Sequence, residues 1–341
     1  MKEVRLYKKL KNKAVQCLGC QHKCIIPEGG MGICGAKRNI GGKLYSIVHS
    51  LPAAINIDPI EKKPLFHFLP GSRILSIGTL GCNFFCKFCQ NWDISQALRA
   101  KKEIPKEEEV GNYLPPKEVV KLAKEYQTPS IAYTYNEPTI FADYAYETMK
   151  LAKKAGLRNV WVSNGYFSDE TFKMISPYLD AINIDLKSFS EKFYQNIVGA
   201  ELEPVKENIK KVYKAGIWLE TTTLIIPGYN DSKEELTSIA RFIKKISPDI
   251  PWHISRFFPA YKMKNVTPTP KETLLKAYEI GKKEGLNYVY LGNMPNSKYE
   301  STYCPKCKKL VIERWGFEIL GNYLEKDKCP NCNQKIAGVF K

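Results

Sequence analysis

From residue 72 onward the chain alternates between two hydrophobic periods. SRILSIGT (72–79) carries Ile74, Leu75 and Ile77 in a short apolar run, which predicts a buried strand ending at glycine. PPKEVVKLAKEYQ (115–127) offers Val119, Val120, Leu122 and Ala123 as apolar positions behind Pro115 and Pro116, residues suited to a helix start. The alternation then continues. SIAYTYNEP, NVWVSNGY, DAINIDLKS, IWLETTTLIIPGYND, PWHISRFFPAY and NYVYLGNM read as strands with the loops that follow them. TIFADYAYETMKLAKKAG, SDETFKMISPYL, the segment through VKENIKKVYKAG, DSKEELTSIARFIKKI and TPKETLLKAYEIGKKEG read as the helices between. Local chemistry agrees: Ser168 is placed to cap one helix, with Thr171 at its third position, and Gly156 closes another.

About seven strands separated by helices predict an α/β fold, a parallel sheet covered by helices. A partial (β/α) barrel and a doubly wound sheet both satisfy this pattern. In a barrel, polar residues at the C-terminal ends of strands are the candidates for a site. This scaffold spans 71–298, between a Cys-rich segment at 1–70 and a second Cys-rich module at 299–341.

Composition narrows the class. With 341 residues, 44% hydrophobic and 12% aromatic, the chain can bury a sizeable core. No apolar run approaches the ~18–20 residues needed to span a bilayer. The basic start MKEVRLYKKLKNK lacks an apolar stretch after it, so no signal peptide and a reducing, cytoplasmic location are expected. Eleven cysteines there argue for metal or redox chemistry rather than disulfides. The net charge of +17 fits either a polyanionic partner such as RNA or a lysine-rich surface. Acidic residues lie among the basic ones, as in KKEIPKEEE, which favours the surface.

The cysteines fall into three groups. Cys304, Cys307, Cys329 and Cys332 form two Cys-x-x-Cys pairs around a segment with short apolar runs, the pattern of a zinc ribbon; a rubredoxin-like iron site has the same ligands. Cys17, Cys20, Cys24 and Cys34 offer four more thiolates for zinc or an iron–sulfur cluster, with His22 as a possible substitute ligand. Cys82, Cys86 and Cys89 number only three, on a loop just past a predicted strand. Three thiolates can bind three irons of a [4Fe–4S] cube and leave the fourth iron open to a small molecule.

The triplet Cys-x3-Cys-x-aromatic-Cys, here Cys82, Cys86, Phe88 and Cys89, resembles the signature of the radical S-adenosylmethionine (SAM) enzymes. With CLGCQHKCIIPEGGMGICGAKRNIGGKLYS before it, QNWDISQ after it and the strand end YTYNEP, the resemblance covers nearly the whole chain. It points to the radical SAM component of the AmmeMemoRadiSam system, similar to the pyruvate formate-lyase-activating enzyme. The resemblance favours the partial barrel. It implies a [4Fe–4S] cluster whose open iron is chelated by the methionine end of SAM, and one-electron cleavage to a 5′-deoxyadenosyl radical that abstracts hydrogen from a substrate. It also implies an external electron donor such as ferredoxin or flavodoxin.

The resemblance further assigns candidates at the strand ends. Glu137 and Asn136 match the place where the family receives the methionine amino group, although the two glycines usual there are Tyr135 and Asn136 here. Ser163 and Asn164 are cofactor contacts on the next strand end, where a family Asp is replaced by Val162. Asp185 and Lys187 form an Asp-x-Lys pair that the family places at the SAM site, and they are the catalytic candidates; the alternative is a mutual ion pair closing the barrel end. His253 is a further SAM contact or a satisfied core residue, and Arg256 could serve an anionic substrate. Phe88 should pack near the adenine or the cluster, and Trp92 should shield the cluster. His49 and His67 are assigned to structure.

Three function classes follow: a radical SAM enzyme acting on a protein or small molecule, with glycyl-radical formation on a partner as one form of this; a radical SAM enzyme modifying RNA; and a non-catalytic iron–sulfur or zinc binding protein. The first is the one the resemblance implies.

Overall fold

Eight strands make the main sheet: β1 (Ala54–Pro59), β2 (Arg73–Gly78), β3 (Ser130–Tyr133), β4 (Arg158–Ser163), β5 (Ala181–Asp185), β6 (Trp218–Ile225), β7 (Trp252–Arg256) and β8 (Val289–Gly292). They come from a computed structural model that describes every residue except 100, 102 and 295. The strands are ordered in the sheet as in the chain. A doubly wound sheet reverses its strand order at a switch point. No reversal occurs here, so the parallel α/β sheet is of the partial-barrel kind. The chain divides into two compact units, residues 1–58 with 73–181, and residues 59–72 with 182–341.

In the first unit β2 pairs in parallel with β3, and β3 with β4. Ile74, Leu75 and Ile77 are fully buried, as a strand covered on both faces requires. Helices α1 (Pro116–Glu125), α2 (Ala142–Lys154) and α3 (Asp169–Ile175) return the chain between strands. Ser168 Oγ accepts from Thr171 N at 3.1 Å, the cap that the sequence predicts. Residues 1–46 form two small antiparallel sheets, Lys2–Glu3, Lys43–Ser46 and Lys37–Ile40 in one, Tyr7–Lys9, Val15–Cys17 and Ile25–Ile26 in the other. Neither these sheets nor β1 is among the strands expected from the sequence; the strands of the small sheets are only two to four residues long, too short to show a period.

In the second unit β6 pairs in parallel with β7, and β7 with β8. Helices α4 (Leu202–Lys214), α5 (Lys233–Ile246) and α6 (Lys271–Lys283) bury apolar stripes such as Val205, Ile209 and Val212 at helical spacing. Gly281 lets α6 approach the sheet: a methyl there would lie 3.0 Å from Val289 and 3.1 Å from Trp252. The C-terminal ribbon is antiparallel, Thr302–Tyr303, Leu310–Trp315 and Glu318–Asn322. A buried chain of hydrogen bonds fastens it. Arg314 Nη1 donates to Thr302 Oγ1 at 2.7 Å, and Thr302 and Tyr290 hydroxyls lie 2.8 Å apart. Tyr290 Oη is 2.5 Å from His67 Nε2, and His67 Nδ1 is 2.6 Å from the Ala337 carbonyl. A carbonyl only accepts, so Nδ1 carries the proton and Nε2 accepts from Tyr290. Every bond in the chain then has one direction, with His67 neutral.

Candidate active site

The loop that follows β2 holds Cys82, Cys86 and Cys89. Gly78 ends the strand where a side chain could not fit, since a Cβ would lie 2.6 Å from the Thr134 carbonyl. Cys86 is buried, and Cys82 and Cys89 are partly so. Phe84 N donates to Cys82 Sγ at 3.4 Å, and Cys89 Sγ lies 3.3 Å from Ser95 Oγ. Burial pushes the Cys82 thiol well above its ordinary value, with the Glu137 carboxylate and the other two thiols adding to it. Such a thiol stays protonated on its own, and a metal that binds its sulfur displaces the proton into solvent. Phe84 and Phe88 are buried, while Phe85 and Trp92 are more than a third exposed.

The ends of β3 and β4 hold this loop. Asn136 Nδ2 donates to the Gly81 carbonyl at 2.6 Å. Asn164 Nδ2 donates to Asn83 Oδ1 at 2.8 Å. Glu137 is fully buried and collects four donors: Thr139 N at 3.0 Å, Thr139 Oγ1 at 2.5 Å, Ser163 Oγ at 2.9 Å and Asn164 N at 2.7 Å. Burial raises its pKa, and those donors oppose the rise. The first unit therefore gathers Cys82, Cys86, Cys89, Phe88, Asn136, Glu137, Ser163 and Asn164 around one loop.

The second unit holds the other three candidates. Lys187 Nζ and Asp185 Oδ2 form an ion pair of 2.9 Å at the C-terminal end of β5, whose last residue is Asp185. His253 lies inside β7, buried, with its Nε2 2.6 Å from Glu220 Oε2. Glu220 also accepts from the Phe66 and His67 amides at 3.0 and 2.8 Å and from Trp218 Nε1 at 2.9 Å. Burial would raise the Glu220 pKa, but the hydrogen bond and charge of His253 outweigh it and hold the carboxylate below its usual range. Arg256 Nε donates to the Thr269 carbonyl at 2.8 Å.

Two further thiol groups are present. Cys304 and Cys332 Sγ lie 3.6 Å apart, as do Cys307 and Cys329. All four lie within 4.8 Å of one another, the gathering one tetrahedral ion needs. Among the described residues no other set of three or more such ligands is this close. Cys17, Cys20, Cys24 and Cys34 lie in the first unit, more widely spread. His22 Nε2 is 2.8 Å from the Asn83 carbonyl, so that nitrogen is taken.

Three residues escaped the sequence reading. Asn83 sits inside the cysteine motif and joins His22 to Asn164. Arg99 donates to the carbonyls of Cys82 and Phe84, at 2.5 and 2.8 Å, and to that of Ile33 at 3.1 Å. Neither had a legible signal, since loop residues carry no periodicity. Glu220 had one: a lone acid within the β-branched run WLETTTLI.

The site fits the cofactors its pattern implies. Three thiols with no fourth suit a four-iron cluster with one open iron. Asn136 Oδ1, beside the loop, is buried and has no hydrogen-bond partner. A buried acceptor in that state calls for a donor, and an amino group is one.

Similarity to known proteins agrees. The radical SAM superfamily profile matches residues 76–243. An uncharacterized protein of Methanocaldococcus jannaschii is 43% identical over 343 residues, covering 100% of both chains. The pyruvate formate-lyase-activating enzyme of Clostridium pasteurianum is 24% identical over 180 residues, 52% of this chain and 71% of that enzyme. The crystal structure of a radical SAM methyltransferase from Sphaerobacter thermophilus shares the fold at a TM-score of 0.51, with 14% identity, over 66% of this chain and 68% of that one. The chain belongs to the radical SAM superfamily, and among its members it resembles the pyruvate formate-lyase-activating enzymes. Among the described residues no helix is long and apolar enough to cross a membrane.

Proposed function

We propose that this radical SAM enzyme abstracts hydrogen from a partner protein, in the manner of a glycyl-radical activating enzyme. The observation that carries the reading is the triplet loop, strapped by Asn136 and Asn164 and bordered by the unpartnered acceptor Asn136 Oδ1. The name of the Clostridium relative supports a protein substrate. When bound at the triplet, a [4Fe–4S] cluster with SAM supplies one-electron cleavage of SAM to a 5′-deoxyadenosyl radical.

The chain's residues have the remaining tasks. Cys82, Cys86 and Cys89 hold three irons. Asn136 Oδ1 accepts from the methionine amino group, and Lys187 meets the methionine carboxylate, ordered by Asp185. Phe88 packs against the cofactors. Glu137 positions Ser163 and Asn164, which complete the pocket. His253 acts through its bond to Glu220. A ferredoxin or flavodoxin supplies the electron, and the C-terminal four thiols hold zinc.

The substrate class is tested by isotope transfer. Reduced enzyme and SAM are given deuterated cell protein, or deuterated RNA free of protein. Deuterium in 5′-deoxyadenosine from the protein fraction is expected. Deuterium from the RNA fraction alone overturns the substrate assignment.

A further inference from the structure

We propose that the side-chain amide of Asn83 donates a hydrogen bond to a sulfide of the cluster held by the triplet, and so helps to set the potential at which that cluster is reduced. This deepens the proposed function and rests on its reading of the triplet as the cluster site.

The sequence puts an amide between the first two cysteines of the motif, in CNFFC at 82–86. Asn83 is fully buried. It is held at both ends. Its main-chain carbonyl lies 2.8 Å from His22 Nε2; a carbonyl only accepts, so that nitrogen donates. Its Oδ1 accepts from Asn164 Nδ2 at 2.8 Å.

The main chain fixes which way each amide faces. Tyr166 N reaches one end of the Asn164 amide at 3.0 Å. A main-chain N–H only donates, so that end is Oδ1 and the end turned to Asn83 is Nδ2. This nitrogen donates in turn, so the Asn83 atom facing it is Oδ1. A flipped Asn83 would set two amide nitrogens face to face. Asn164 is itself anchored, with its N donating to the buried Glu137 Oε2 at 2.7 Å. Asn83 Nδ2 is therefore left over, buried and without a hydrogen-bond partner among the described residues. A buried donor in that state calls for an acceptor.

Position names the acceptor. Asn83 follows Cys82 directly, and its Oδ1 lies 3.9 Å from Cys82 Sγ, so the amide sits beside a sulfur that binds one iron. Other donors on this loop already meet sulfur. Phe84 N donates to Cys82 Sγ at 3.4 Å, and Ser95 Oγ lies 3.3 Å from Cys89 Sγ. Asn83 Nδ2 bonds none of the thiols. The acceptors that remain for it are the sulfides that the cluster brings. Reduction adds one electron, and so one negative charge, to the cluster. An N–H aimed at a sulfide stabilises the reduced form more than the oxidised one and raises the potential. No proton changes hands.

The test is pulsed EPR on the full-length protein, grown with asparagine labelled with ¹⁵N in its side-chain amide, then reconstituted with iron and sulfide and reduced. The signal to be read is the one that Cys82→Ala/Cys86→Ala/Cys89→Ala lacks. Wild type without SAM is expected to show a ¹⁵N coupling in that signal. Asn83→Leu should lose the coupling and take up its electron at a more negative midpoint potential. A coupling kept in Asn83→Leu, or none in wild type, would overturn the inference and leave the triplet reading intact. A coupling that appears only when SAM is added would also overturn it, because the amide would then serve SAM. If no such signal depends on the triplet, the triplet reading falls and this inference falls with it. If Asn83→Leu holds no iron, Asn83→Asp takes its place in the label measurement, since it keeps an oxygen for Asn164 and loses the donor.

Discussion

Asn136 spans from the end of β3 to the cysteine loop, donating to the Gly81 carbonyl at 2.6 Å while its own Oδ1 stays buried without a partner. One side chain thus fixes the loop and offers an acceptor beside it. Asn136→Leu removes both. A charge-assisted hydrogen bond of roughly 1.5–3 kcal/mol corresponds to about a 10- to 150-fold weakening of SAM binding. Iron content should stay near wild type, so SAM titration of the reconstituted protein separates ligand loss from cluster loss. Unchanged SAM affinity would assign Asn136 to loop structure alone.

Lys187 is the second probe. Its ion pair with Asp185, 2.9 Å long, is compatible with a pair that only closes the strand end and with a pocket poised for a carboxylate. Lys187→Met should weaken SAM binding by about 10- to 100-fold if the ammonium meets the methionine carboxylate. A closing ion pair alone would lower thermal stability and leave SAM binding untouched. Equilibrium binding and a melting curve on the same variant decide between them.

Acid should loosen the second unit through His67. Burial holds its pKa at about 4, below the ordinary 6.5, so the folded state keeps it neutral where the unfolded chain is protonated. The unfolded state then binds more protons, and stability falls as pH drops from about 6.5 toward 4. At pH 5 the loss from this group is about 2 kcal/mol. His49 is lowered to about 4 by burial in the same sense and adds to the total. Denaturant midpoints at pH 7.5 and 5 should therefore differ less in His67→Gln than in wild type. An equal difference would mean that His67 titrates normally.

The ribbon depends on its four thiols. Cys304 and Cys329 are buried and face Cys332 and Cys307 at 3.6 Å. One zinc per chain is expected, absent in Cys304→Ser. A short ribbon lacks core enough to fold without its metal, so this variant should lose protection of the 302–340 amides from hydrogen exchange. Full protection without metal would show that the chain of bonds through Arg314, Thr302, Tyr290 and His67 suffices.

Much of this arrangement was legible beforehand for a physical reason. Strands buried on both faces, such as Ile74 to Ile77, and helices with one apolar stripe write their period into the sequence. So do ligands at fixed spacing, as in the Cys304–Cys307 and Cys329–Cys332 pairs. The small sheets of residues 1–46 were not legible, since their strands are only two to four residues long. The clamps on the loop were not legible either. Arg99 and Asn83 act through main-chain carbonyls of residues close only in space, and such pairings leave no spacing to read. Glu220 was visible as an acid in a buried strand, but its partner His253 lies 33 positions away.

The central claim is that Cys82, Cys86 and Cys89 form the centre where SAM is cleaved. The most direct test is to reconstitute the protein anaerobically with iron and sulfide, reduce it with dithionite, add SAM and quantify 5′-deoxyadenosine. Wild type should produce it, and Cys82→Ala/Cys86→Ala/Cys89→Ala should produce none. Equal amounts from both proteins, or no iron bound by the triplet, would contradict the claim.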